Sequence, residues 1–193
     1  MNKTRLEAFS DGVIAIIVTI MVLEMKAPEG TSWEMIKPLV PKFESYALSF
    51  LFIAIYWVNH HHLIHTVKKV NSGIMWANVN LLFWLSLVPF ATAWMGENHF
   101  DKITVAVYAV LALFCGLSYN ILNILIAKNY SEELKLKLSA SKVKAKSVAA
   151  IALYTFAIPV AIYGSPIISV CFFAIVSLIW LIPDKIIEQA LEE

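Results

Sequence analysis

The run from residue 13 to residue 23 holds a single polar side chain, Thr19, and Ser10 and Asp11 stand just ahead of it. A helix that crosses the hydrocarbon core of a bilayer needs about 20 residues. A span ending at Glu24 therefore carries Ser10 and Asp11 down into its inner half. A carboxylate at that depth costs roughly 2.5–3.5 kcal/mol on insertion scales, and it is tolerated where it meets protein or water rather than lipid. The first helix is accordingly expected away from the rim of the protein.

Spacing divides this helix into two faces. Phe9, Gly12, Ile16, Thr19 and Leu23 recur at steps of three and four, which places them on one stripe. Asp11, five residues before Ile16, lies about 140° round the helix and points off that stripe. One face can line an axis with an apolar seam carrying one hydroxyl, while the other is anchored to neighbours through Ser10 and Asp11. On composition alone, ordinary helix packing is the default reading of such a stripe.

The rest of the chain is of the same kind. Of its 193 residues 60% are hydrophobic and 15% charged, with mean hydropathy +0.73, values of a membrane protein rather than a soluble domain. The first run is too polar at its start and too long for a cleaved signal peptide, and no small-residue cleavage site follows it. A net charge of +1 gives no basis for a nucleic-acid partner. Cys115 and Cys171 lie within apolar runs, where packing rather than a disulfide is the default.

Six spans are predicted, at 6–25, 43–67, 73–95, 103–127, 147–163 and 167–183, within a single transmembrane domain covering 1–193. Pro89 and Pro159 should kink the third and fifth. Thr31 and Glu34 bracket a capping-box pattern, which with Trp33 suggests a short helix at the interface. Asn98-His99 and Tyr163-Gly164-Ser165-Pro166 mark turns on that same side, and Trp94 and Trp180 fall near predicted interfaces. Lys26, Lys37, Lys42 and Lys102 lie on this side, whereas the other eleven of the 15 lysines and arginines lie opposite. The positive-inside rule then puts both termini in the cytoplasm. The leucine- and lysine-rich stretch 130–146 reads as a surface-lying connector, partly helical.

The second span ends in Tyr56-Trp57-Val58-Asn59-His60-His61-His62, with His65 a turn further on. Consecutive helical residues diverge by about 100°, so His60, His61 and His62 cannot close on one ion. His61 and His65 could, but no cysteine or carboxylate pattern completes a site, and no metal is predicted. These histidines come to roughly the depth of Asp11, and Asn78 and Asn80 reach a similar level from the third span. Ser10, Asp11, the histidines and Asn80 are thus expected to form one buried polar network, structural by default and a proton relay in the alternative. Asn120 and Asn123 are expected to bond between helices. There is no nucleophile–base pair and no glycine-rich phosphate loop, so an enzyme is not predicted.

Arg5-x-x-x-Phe9-Ser10-Asp11 opening the first span resembles the signature of the transmembrane protein 175 family, the lysosomal-type potassium channels and their prokaryotic relatives. The resemblance continues through Leu23-Glu24-Met25, Tyr56-Trp57-x-x-His60-His61, Asn80-Leu81-Leu82 and Val88-Pro89-Phe90-x-Thr92. It is close over the first half of the chain and rests on span count beyond. It implies a potassium-preferring cation channel of a bacterial or archaeal plasma membrane, needing no cofactor, and no Thr-Val-Gly-Tyr-Gly filter sequence occurs here. Family members with two six-span repeats carry the signature twice and assemble as dimers, so a chain carrying it once implies a homotetramer in the lipid bilayer.

The family's pore positions fall on Ile16, Thr19 and Leu23, with Gly12 and Phe9 on the same stripe. The resemblance makes Arg5, Ser10, Asp11, Trp57, His60, His61 and Asn80 the signature network. Rings of Ile16 and Leu23 would form an apolar constriction that gates by dewetting, with Thr19 hydroxyls between them, and Glu24 at the outer mouth would concentrate cations. The rival reading is a proton-coupled secondary transporter or a proton-conducting protein using the Asp/His network. Such carriers usually have helices broken near the midplane, and no glycine or proline interrupts residues 13–25.

Overall fold

A computed structural model describes residues 2–67, 69–128 and 143–181, all of them helical or in short connections. The helices are α1 (Lys3–Leu23), α2 (Val40–His65), α3 (Ser72–Ser86), α4 (Val88–Glu97), α5 (Lys102–Ala127), α6 (Val143–Tyr163) and α7 (Pro166–Leu181). α1, α2 with its lead-in, α3 with α4, α5 and α6 are long and apolar enough to cross a membrane, and α7 is a shorter apolar helix of 16 residues. The chain is an all-α, multi-span membrane protein.

The third span departs from the kinked helix expected of it. α3 stops at Ser86 and α4 restarts at Val88, with Leu87 serving as the cap of both. Pro89 has no N–H to give to the carbonyl four residues back, and its ring crowds that carbonyl, so the ladder ends and begins again. α6, by contrast, runs unbroken through Pro159. The interfacial segment also differs. It forms two short 3-10 turns, Trp33–Met35 and Lys37–Leu39, and the first is entered at Ser32 without any side-chain cap bond. The Asn98-His99 turn closes with His99 and Phe100 both at positive φ, and the tight 163–166 connection joins α6 to α7. The connector expected over 130–146 lies outside the described residues up to 142.

α5 is the hub. It packs against α3, α4, α6 and α7, and its buried face includes the small residues Ala109, Ala112 and Gly116, the last making room for the Tyr56 and Tyr154 side chains. Tyr108 of α5 joins an aromatic cluster with Phe52 of α2 and Phe173 of α7, at ring separations of 6.2 and 5.1 Å. Such pairs add about 0.5–1.5 kcal/mol each beyond their burial. Cys115 is buried here and Cys171 is exposed, and both are free thiols.

A hydroxyl chain ties α4 to the hub: Thr92 Oγ1 lies 2.7 Å from Ser49 Oγ of α2, which lies 3.0 Å from the Tyr108 hydroxyl. Gly96 is where α4 meets the start of α2 most closely, since a Cβ there would come within 2.9 Å of the Lys42 Cα. α1 packs on α2, α3 and α4 and stands at the edge of this bundle.

Candidate functional site

Two stripes run the length of α1. Leu6, Ser10, Ile14, Ile17 and Met21 face inward and are buried against the neighbouring helices. The opposite stripe, Phe9, Gly12, Ile16, Thr19 and Leu23, faces outward, with Ile16 59% and Leu23 76% exposed against 4% for Ile17. Nothing comes within 4 Å of the position a Cβ would occupy on Gly12. Among the described residues this apolar helix face has no packing partner in its own chain. The first helix, expected away from the rim, is at the edge of the single chain.

Within that stripe the Thr19 hydroxyl donates to the Ile16 carbonyl at 2.9 Å. Its proton is thereby turned toward the backbone, and the oxygen lone pairs are left to face outward. Glu24 caps the C-terminal end of α1, exposed. Alongside Ile16 of the stripe, a groove between α1 and α4 is lined by Val13, Ile20, Phe90 and Trp94, with Glu24 and Glu97, at the C-terminal ends of the two helices, also on its wall. Glu97 is held by Lys42 at 3.0 Å.

The inward face of α1 carries the polar anchor. The Ser10 hydroxyl donates to the Leu6 carbonyl at 2.9 Å, so its oxygen accepts from Asn78 Nδ2, also at 2.9 Å. Asn78 then presents its Oδ1 to His60 Nε2 at 2.6 Å. The chain of donors fixes the tautomer, because His60 must carry its proton on Nε2 to complete it. All three side chains are buried. Asn80, expected in this network, is turned to the other side of α3, where its Nδ2 donates to Ser118 of α5 at 2.7 Å. Residues two apart on a helix diverge by about 200°, so only one of the two asparagines can face α1. Asn120 likewise misses the expected interhelical role and donates to the Gly116 carbonyl of its own helix at 3.3 Å.

Asp11 lies outside the buried chain, on a half-buried flank. It accepts from the indole of Trp57 at 2.9 Å. One turn lower, Glu7 Oε1 lies 3.2 Å from both His61 Nδ1 and His65 Nε2. Glu7 is a residue that sequence reading passed over, and the signal that could have found it is its position one turn before Asp11 on the same face. The Arg5 side chain is exposed and enters none of these bonds among the described residues; its backbone N–H is capped by Asn2. Asp11→Ala leaves the Trp57 indole without its acceptor and should lower the yield of folded protein while leaving the potassium-to-sodium flux ratio unchanged. Normal folding with an altered ratio would put Asp11 on the conducting face.

Comparison with known proteins bears on this arrangement. A profile of the family described as endosomal/lysosomal potassium channel TMEM175 matches residues 5–89, the stretch from the first turn of α1 through α2 and α3 to the start of α4. A potassium channel from Chryseobacterium sp. (strain P1-3) is 50% identical over 193 residues, covering 100% of both chains. The crystal structure of a lysosomal potassium-selective channel TMEM175 homolog from Chamaesiphon minutus superposes with a TM-score of 0.68 at 25% identity, covering 93% of this chain and 96% of that one. The human endosomal/lysosomal proton channel TMEM175 is 30% identical over 103 residues, 47% of this chain and 20% of that protein.

Proposed function

The chain belongs to the TMEM175 potassium-channel family, and from that premise we propose that it conducts potassium along an axis lined by α1 of four identical subunits. It is a multi-pass potassium channel of a prokaryotic plasma membrane, and ion passage of this kind is transport, not catalysis, and calls for no cofactor. The observation that carries the pore assignment is the exposed stripe of α1, opposite a fully packed one. One chain supplies one such helix, and a closed conduit needs several related by rotation about a common axis. We take the topology to be six spans with both termini cytoplasmic, and residues 1–193 to be one channel domain.

Four copies of Ile16 and of Leu23 would then form two apolar rings, narrow enough to hold water out at rest. Between them, four Thr19 oxygens with their protons turned away offer weak coordination to a cation that has shed part of its shell. Potassium gives up hydration water at lower cost than sodium, so a dry, weakly coordinating path favours it modestly. Glu24 at the outer end of α1 would raise the local cation concentration. Ser10, Asp11, Trp57, His60 and Asn78 set the rotation of α1 that turns Ile16 to the axis, with His61 one turn beyond Trp57 on α2, while Arg5 stays exposed and Asn80 ties α3 to α5 instead.

Mass measurement in mild detergent, paired with potassium flux in liposomes, tests the assembly. A mass of four chains in the preparation that conducts is the expected result. Monomers that conduct would overturn it.

A further inference from the structure

We propose that Glu7, His61 and His65 form a binding site for a divalent transition-metal ion of the zinc class, clamping the ends of α1 and α2 together. The site is separate from the conducting face and stands or falls independently of the channel reading.

Antiparallel packing of two matched stripes creates it. Glu7 and Asp11 lie one turn apart on α1, and Trp57, His61 and His65 lie on successive turns of α2. Asp11 meets Trp57, which sets the register. Glu7 then falls between the two imidazoles, with Oε1 at 3.2 Å from His61 Nδ1 and 3.2 Å from His65 Nε2. The rings are 4.6 Å apart between centroids, and the three candidate ligand atoms all lie within 4.8 Å of one another.

A tetrahedral ion with bonds of about 2.0–2.1 Å holds its ligand atoms roughly 3.3–3.4 Å apart. Two of the three edges already have nearly that length, at 3.2 Å, and the third, within 4.8 Å, closes as the ion draws the two imidazoles together. The donor set, two imidazoles at i and i+4 with one carboxylate, suits zinc and its neighbours rather than magnesium or calcium, which favour oxygen ligands.

Access and charge are compatible with an ion. The side chains of His61 and His65 are 41% and 45% exposed and that of Glu7 20%, so an ion can enter and keep water in the fourth position. Lys3 comes close to the site, and its amine donates at 2.6 Å to the His65 carbonyl. Asp11 supplies a second negative charge one turn up. His60 is buried and committed to Asn78, and His62 points along a different direction of α2.

The test is zinc titration by calorimetry on the full chain in detergent, with any purification tag removed, together with zinc-edge X-ray absorption of the wild-type protein. One ion per chain is expected, with two imidazoles and oxygen around it. Glu7→Gln, His61→Ala and His65→Ala should each weaken binding about tenfold or more, while His62→Ala leaves it unchanged and magnesium does not compete. Binding unaffected by the three substitutions, or equally affected by His62→Ala, would overturn the proposal. Should a variant fail to fold, the wild-type spectrum decides: a zinc ion without two imidazole neighbours, or no bound zinc, excludes the site.

Discussion

Ile16→Asn should raise both potassium and sodium flux and shrink the preference between them. If Ile16 rings the axis, each substitution acts once per subunit, and four amides replace four side chains that had kept water out. The dehydration cost then falls for any cation, and discrimination that depends on dehydration falls with it. A barrier lower by about 1.4 kcal/mol is a tenfold faster passage, so the increase should be of that order for sodium and smaller for potassium. Ile17→Asn is the internal control. Ile17 is adjacent in sequence but buried on the inward stripe, 4% exposed. An amide there must leave water for a packed apolar position and should impair folding or assembly rather than permeation. The measurement is flux into liposomes carrying equal amounts of each variant. Loosened selectivity in Ile17→Asn with none in Ile16→Asn would reverse the assignment of the two faces.

The architecture was legible where it follows from hydropathy. Each of the six apolar runs becomes helix close to the expected limits, and the stripes of α1 follow from spacing alone. What composition left open was which stripe is packed. Sequence shows that Ile16 and Ile17 point about 100° apart, but not which of them meets another helix of the same chain. Breaks were legible in kind rather than in degree. Pro89 was visible as a disruption, yet whether it bends a helix or ends one depends on whether neighbours can satisfy the freed carbonyls, and here the chain stops at Ser86 and begins again.

Contacts between helices were the least legible. Glu7 reaches His61 and His65 because α1 and α2 run antiparallel with Asp11 opposite Trp57, a register that no single stretch encodes. Asn120 offers a further example: an amide on an apolar helix can bond across or back to its own carbonyls, and nothing in the local sequence separates the two.

Asn78→Leu should cost the fold more than Asn80→Leu, although both replace an asparagine on the same helix. Asn78 is completely buried and holds two bonds at once, accepting from His60 and donating to Ser10. Leucine there leaves the His60 Nε2–H facing hydrocarbon, and a buried donor without a partner costs about 1–3 kcal/mol. The Ser10 hydroxyl is less affected, because its proton stays on the Leu6 carbonyl. Asn80 sits at an exposed position and makes one bond, to Ser118, whose hydroxyl can turn back to its own helix when the amide is removed. For a chain of this size about 1 kcal/mol corresponds to roughly 2–4 °C in the unfolding midpoint. Asn78→Leu should therefore melt several degrees below wild type in detergent, and Asn80→Leu within a degree or two of it. The reverse order would place Asn80 in the anchor and turn α3 by about half a revolution from the arrangement described. That rotation would also take away the partner that holds Ser10 inward, and with it the reason Ile16 faces out.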